Sequence, residues 1–586
     1  MRNRKLKQSV VAMSLLAVSG SLAYAQQPAP APAKALSPVT EAMLRNPSPS
    51  DWLMWRRTYD GWGYSPLEEI SKTNVGRLQV AWTWALTNGA TEITPIVHDG
   101  VLFIFNYGDK VQALNATNGD LLWEYKRDLP PVLVAEGGNP LAKRSMAIID
   151  SNLIVATSDA HLIALDVNTG KITWDQATAD WTKGWRYTGG PLVAGGKIIQ
   201  GMTGCGNAQP GGCFITGHDL KTGAEAWRFY TIARPGEPGG DTWNNIPLEK
   251  RHGASAWNSG TYDPDSKTLF FGVGQPYPWI AEMNGLLPLK PGAKNSALYA
   301  DATLALDPAS GKLKWHYQHL ENDTWDLDYA YERILVDLPV NGATRKALVT
   351  VGKLGIIEVL DRNTGEWLWS KETVYQNVVQ SIDPKTGKKT INPASVPQIG
   401  KTTVNCPADP GGRGWPATAY SPKTKMLYLP MSEFCSDTTP TPVDAGQIYT
   451  GGGRAIYARR PIPTNDGNIG RVDGVRLDTQ KAAWSYRTRA PQTAAVLATG
   501  GGLVFSGALD RYFRAHDDET GAVLWQLRTS NVVNAFPITY AVNGKQYVAV
   551  AVGNGSSQAR ALAALTPEIR NPDGGSALWV FALPGK

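Results

Sequence analysis

Six stretches of this chain end on a tryptophan in the same way: ALNATNGDLLW (to Trp123), ALDVNTGKITW (Trp174), GHDLKTGAEAW (Trp227), ALDPASGKLKW (Trp315), VLDRNTGEWLW (Trp369) and AHDDETGAVLW (Trp525). Weaker copies, GRLQVAW and VRLDTQKAAW, end on Trp82 and Trp484. Each clear copy reads as a short alternating strand, a tight Asp-x-x-Thr-Gly turn and a second short strand. This is β-hairpin grammar, in which glycine supplies the positive φ of the turn. Further short strands lie between copies, among them VLFIFNY, LIVATS, TLFFGVG and YVAVAVG. Two hairpins per unit make a four-stranded blade, and eight units predict an all-β, eight-bladed propeller with long face loops. The recurring tryptophans are expected to be spacers between blades and receive no chemistry.

The units are unevenly spaced. Long intervals separate Trp227 from Trp315 and Trp369 from Trp484, and both are rich in Pro and Gly. Long loops on a rigid scaffold are where sites are built.

The first residues carry a different message. MRNRKLKQSVVAMSLLAVSGSLAYAQQ has a basic head, an apolar stretch and a small-x-small end at Ala23-Tyr24-Ala25, the pattern of a secretory signal. The expected organisation is a signal peptide at 1–25, a Pro/Ala-rich linker at 26–38 and one propeller domain at 39–586, exported to the periplasm. Cleavage removes four basic residues, so the formal charge of +6 falls to about +2. That balance gives no support to nucleic-acid binding, and no later apolar run is long enough to span a bilayer. In an oxidising compartment the four cysteines are expected to be bridged. Of three possible connectivities, nearest-neighbour pairing (Cys205 with Cys213, Cys406 with Cys435) is favoured. No C-x-x-C-H occurs, so the chain carries no c-type haem of its own.

Several familiar site motifs are missing: G-x-x-x-x-G-K-[ST], strand-linked G-x-G-x-x-G, H-E-x-x-H and G-x-S-x-G. Seven scattered histidines make a histidine metal site a poor reading. What remains are carboxylates and carboxamides near Trp and Gly, donors suited to a hard cation. They concentrate in NDTWDLDYAYE (322–332), which directly follows Trp315.

Together with the repeats, DWLMWRRTYDGWGYSPLEEI, TEITPIVHDGVLFI and GGGLVFSGALDRYFRAHDDETGAVLW resemble the secreted quinoprotein alcohol dehydrogenases, which use pyrroloquinoline quinone (PQQ). The resemblance covers nearly all of the chain after residue 38. It implies that Asp326 of TWDLD is the general base, and that a metal ion held against the quinone is a Lewis acid. Asp328 resembles the extra aspartate of the family's lanthanide-using members. Trp257 matches the floor beneath the quinone ring. Glu92 in TEITP, Arg144 in AKRSM, Thr188 in YTGGP and Lys353 in VGKLG match residues lining the cofactor, whose three carboxylates suit cations.

The sequence also departs from that pattern. A metal-ligand Glu expected in a G-A-E turn is missing from TGCGNAQPGGCFITGHD, and Gln275 of GVGQPYPW stands where the family has Asn. The adjacent Cys-Cys pair of many members is missing as well. Metal identity, calcium or lanthanide, therefore stays open.

The C-x7-C loop, NYGDKVQALNA and RYFRA look more like the sugar- and polyol-oxidising quinoproteins, such as sorbose dehydrogenases. Trp279 and Trp415 offer either sugar-face stacking or loop packing. The expected activity is oxidation of a sugar, a polyol or broad primary and secondary alcohols, with electrons passed to a separate periplasmic cytochrome c or similar acceptor. The alternatives are a short-chain methanol/ethanol-type enzyme, and a cofactor-free propeller acting as a scaffold.

Overall fold

The computed structural model describes residues 35–136, 141–208, 211–442, 454–464 and 466–585. The expected signal peptide and the linker up to residue 34 lie outside them. Eight antiparallel meanders of four strands each are found among the described residues. Seven are continuous in sequence, spanning 96–126, 147–177, 192–230, 261–318, 334–372, 419–488 and 497–528. The eighth joins Ile538–Val542, Lys545–Val552 and Ala577–Ala582 to Gln79–Ala85, so it is built from both ends of the chain. Tyr64–Ser65 adds a short parallel edge to the 497–528 sheet.

The repeat acquires a physical reason in this geometry. The Asp of each clear Asp-x-x-Thr/Ser-Gly turn caps its own turn. Asp166 Oδ1, for example, accepts from the Asn168 and Thr169 backbone N–H groups and the Thr169 hydroxyl. One or two residues before each tryptophan the outer strand bulges, as at Ile172/Trp174, and the residue opposite is Ala or Gly in most repeats, such as Ala113, Gly217 or Gly474, and Val opposite Trp82 and Trp369. A bulge re-aims the side chain that follows it.

Each tryptophan is thereby turned onto the next repeat. A Cβ added to Gly119 would stand 2.6 Å from Trp82, and Gly170, Gly223, Gly311, Gly365 and Gly521 lie equally close beneath Trp123, Trp174, Trp227, Trp315 and Trp484. Indole N–H groups fix the same contacts: Trp123 Nε1 donates to Val167 O at 2.9 Å and Trp484 Nε1 to Asp518 O at 3.0 Å. The last copy closes on the first, with Trp525 Nε1 donating to Leu78 O at 3.0 Å. The tryptophans are spacers between neighbouring sheets, as the repeat implied.

The strands that start each meander are buried and the outermost are largely exposed. One apolar core runs from the first meander to the fourth, and a second binds the two chain ends together. Antiparallel pairing puts the Asp-capped turns at one end of each sheet. The entry to the first strand and the turn between the second and third strands lie at the other end. Both long intervals feed that other end.

The first interval supplies 231–260 before Thr261–Asp263 and 273–301 between strands two and three. The second is more than an excursion. It folds a hairpin, Val379–Ile382 with Lys389–Ile391, and a three-stranded sheet of Thr403–Asn405, Phe434–Thr441 and Arg454–Pro461. Disulfides Cys205–Cys213 and Cys406–Cys435 form between nearest neighbours.

Candidate active site

The residues singled out from sequence occupy equivalent places in successive repeats. Glu92, Arg144, Thr188 and Trp257 each sit three or four residues ahead of the first strand of their meander, before Ile96, Ala147, Leu192 and Thr261. Tyr331 and Trp415 hold the same place before Ile334 and Ala419. Gln275 and Lys353 leave the second strands of the fourth and fifth meanders, at the same end of the sheets.

These positions converge on a cavity of about 340 Å³ lined by Arg144, Thr188, Trp257, Gln275, Asp326, Asp328 and Lys353. Arg186, Tyr277, Tyr331, Asp409, Trp415 and Gln558 complete much of the wall. The structure thus brings together seven of the eight expected cofactor, metal and catalytic residues. Glu92 is the exception: it is fully buried behind the wall and ion-paired to Arg144.

The segment 322–332 is the link between the fourth and fifth meanders, and its four acids differ in task. Asp323 is buried and accepts from the Trp325 and Leu327 backbone N–H groups at 2.8 and 2.6 Å. Glu332, also buried, is held by Arg413 and by the Thr418 N–H and hydroxyl. Both are therefore structural and not solvated. Asp326 has φ 65°, a left-handed backbone that tight surroundings sustain at functional sites.

Asp326 and Asp328 converge on Lys353. Its Nζ lies 2.9 Å from Asp326 Oδ1, 2.9 Å from Asp328 Oδ2 and 3.4 Å from Asp409 Oδ1. It also donates to the Asp326 carbonyl at 2.8 Å. Gln275 Nε2 donates to Asp326 Oδ1 at 2.6 Å, and Trp257 Nε1 reaches Asp328 Oδ1 at 3.5 Å.

Burial lifts the Asp326 carboxyl well above the usual range; Lys353 opposes this and the neighbouring Asp409 and Asp328 add to it. Burial works against the Lys353 ammonium, but Asp326, Asp328 and Asp409 outweigh it and hold the charge firmly.

Trp257 presents its ring to the cavity. Tyr331 meets it edge-on at 5.4 Å and the Arg144 guanidinium lies 4.8 Å from the ring centroid. Thr188 Oγ1 donates to Trp257 O at 3.2 Å, so it steadies the floor as well as lining the wall. Trp415 lines the cavity and packs on Phe536, whereas Trp279 is buried against Tyr457 and takes no part in the lining.

The chemistry of the lining fits a flat, polyanionic group with a hard cation. An aromatic floor, Arg144 and Lys353 suit the first. Two carboxylates and a carboxamide oxygen suit the second. Gln275 Oε1, Tyr331 Oη and Trp415 Nε1 are buried without a hydrogen-bond partner in the chain, a condition buried polar atoms rarely keep. Where the family has a metal-ligand Glu, Thr203 and Gly204 supply the lining and bring no carboxylate. Asp409 was not foreseen from sequence.

Comparison with known proteins decides the family. Residues 52–385 and 466–548 match the family model described as PQQ: Glucose/ethanol/alcohol dehydrogenase, beta-propeller domain. The chain belongs to the PQQ-dependent alcohol dehydrogenases. The dehydrogenase subunit of the quinone alcohol dehydrogenase of Komagataeibacter europaeus is 33% identical over 541 residues, covering 86% of this chain and 72% of that protein. Quinohemoprotein alcohol dehydrogenase ADH IIB of Pseudomonas putida is 32% identical over 584 residues, covering 94% and 80%. Among solved structures, a europium-containing methanol dehydrogenase superposes with a TM-score of 0.83 at 27% identity, covering 92% of this chain and 99% of that one. As a PQQ-dependent alcohol dehydrogenase the chain is an oxidoreductase, and the family's β-propeller domain accounts for its repeated meanders.

Proposed function

We propose that this chain is a periplasmic dehydrogenase oxidising alcohol groups of sugars, polyols or a broad range of primary and secondary alcohols, with Asp326 as general base. The observation that carries the reading is the meeting of Asp326, Asp328, Gln275 and Lys353 over the Trp257 floor in one cavity. The eight meanders are then eight blades of one ring over residues 39–586, closed where Gln79–Ala85 pairs with Ala577–Ala582.

When bound, PQQ with its metal ion supplies a two-electron acceptor and a Lewis acid. Asp326, Asp328 and Gln275 would hold the ion, and Trp257, Arg144 and Lys353, with Thr188 and Glu92 behind them, would hold the cofactor. Asp328 supplies a second carboxylate where the family Glu is missing, the feature that resembles the lanthanide-using members. The europium in the methanol dehydrogenase named above supports that reading.

Asp326 acts on the substrate hydroxyl. Its Oδ1 is fixed by Gln275 and Lys353, which leaves Oδ2 to take the proton. Its raised affinity for protons suits that task, because a base is most effective when its pKa approaches the working pH. Glu92 orients Arg144 through their ion pair. No helix among the described residues is long and apolar enough to cross a membrane, and electrons pass in this reading to a separate cytochrome c or similar acceptor.

Purified chain reconstituted with PQQ and either calcium or lanthanum, then assayed with an artificial dye on short alcohols and on sugars, tests the reading. Oxidation of at least one class is expected, with lanthanum the more effective ion. No oxidation of any alcohol with either metal would favour a scaffold instead.

A further inference from the structure

A second cavity of about 550 Å³ adjoins the first, walled by parts of the first long interval, including Ile246, Met283 and Leu287. Tyr277 belongs to the lining of both cavities, and no other lining residue is shared. It leaves the chain two residues after Gln275. Its ring is buried, and it is braced at both ends: its N–H donates to His252 O at 3.0 Å, and its hydroxyl lies 3.1 Å from Ser255 Oγ. Ser255 faces the catalytic side, since a Cβ on Gly274 would stand 3.4 Å from its Oγ and 2.2 Å from Asp328 Oδ1. The ring is therefore a fixed partition whose hydroxyl points toward the acidic cluster.

The catalytic cavity, at about 340 Å³, is at the small end of ligand pockets, which run from roughly 300 to 1,000 Å³. It must accept a cofactor, an ion and a substrate. Whatever room a substrate has on this side ends at Tyr277.

We propose that Tyr277 determines specificity by substrate length: its ring closes the catalytic cavity against the second one and confines the enzyme to compact alcohols. This rests on the alcohol-oxidising reading above. The space behind the ring is mixed in character, with Ile246, Met283 and Leu287 beside exposed Lys250 and Lys290. An alkyl tail passing the ring would meet the apolar side of it.

The test uses the full chain loaded with PQQ and metal, and the ratio of kcat/KM for 1-decanol to that for 1-propanol. Tyr277→Ala should raise this ratio at least about tenfold, because each methylene that gains an apolar site is worth roughly 0.8 kcal/mol. Tyr277→Phe keeps the wall and should stay within about threefold of the native ratio. Met283→Trp, added to Tyr277→Ala, should return the ratio to the native value by filling the second cavity; alone it should not move the ratio.

A ratio in Tyr277→Ala within about threefold of native, or a gain that survives Met283→Trp, overturns the proposal. If Tyr277→Ala does not fold, Tyr277→Leu carries the same comparison with a smaller expected gain. A readout free of turnover separates this proposal from the one beneath it. 2-Methyl-2-nonanol, a tertiary alcohol with no hydrogen on its carbinol carbon and so not oxidisable, should raise the melting midpoint of Tyr277→Ala and not that of the native chain. Equal effects on both overturn the wall even if neither protein oxidises any alcohol. A native chain active on 1-propanol with a flat variant ratio sinks the wall alone.

Discussion

Gly274→Ala offers a direct test of the role given to Asp328. The glycine follows the strand Thr268–Gly272, and its backbone is in a region open to any residue. Its side-chain position is not open: the new methyl would lie 2.2 Å from Asp328 Oδ1, where ordinary contact begins at 3.4 Å. The carboxylate must retreat by about 1 Å, enough to stretch its 2.9 Å contact with Lys353 Nζ to the edge of an ion pair. A disturbed ligand shell typically weakens metal binding by about 10–100-fold, or roughly 1.4–2.8 kcal/mol.

Calorimetric titration of lanthanum into the PQQ-loaded, metal-stripped protein should show that loss. Asp328→Ala should lose at least as much. If both variants bound lanthanum with native affinity, Asp328 would not be a metal ligand, and the case for Asp326 would stand unchanged.

Three further outcomes are expected. Asp326→Asn keeps the shape and removes the base, so kcat/KM should fall about 10²–10⁴-fold; because burial raises the native carboxyl's pKa, folding stability falls as pH rises above 3.8, and the variant's denaturant midpoint should lack that loss. Lys353→Met strips the cation from three carboxylates and should cost about 3–5 kcal/mol in urea unfolding of the metal-free protein; a midpoint equal to the native one would contradict the cluster. His516 is buried, stacked on Trp484, and its pKa is lowered by burial to about 4. The unfolded chain therefore binds a proton between about pH 6.5 and 4 that the native fold refuses, and stability drops by up to about 3 kcal/mol as pH falls through that window; melting curves of His516→Gln should be flatter there.

The repeat was legible because local chemistry makes it: an Asp that caps its own turn, a glycine in a positive φ, and a tryptophan after a bulge. The role of that glycine as the seat of the preceding tryptophan was not legible, since the partners lie 37 to 84 residues apart, as in Trp82 with Gly119 and Trp227 with Gly311. The make-up of the eighth sheet was also hidden, because GRLQVAW reads as a weak copy of the hairpin until Ala577–Ala582 is placed beside it.

At the site, resemblance picked out Asp326, Asp328, Gln275, Trp257 and Lys353, which the fold gathers around one cavity. Asp409 and Tyr277 come from the long intervals, which have no periodicity to read. One signal was available and unused. Tyr331 holds the same place ahead of its strand as Trp257 and Glu92, and counting back from each inner strand finds it.

The contact between Trp525 and Leu78 spans 447 residues, and its meaning is one of time. During synthesis Gln79–Ala85 emerges long before its strand partner, Ala577–Ala582. Until then the edge of Gln79–Ala85 is open. Long-range pairing of this kind is slow and leaves an unpaired strand exposed meanwhile. Removing Ala577–Ala582 would strip Gln79–Ala85 of its strand partner, so the eighth sheet forms only once both segments are in place.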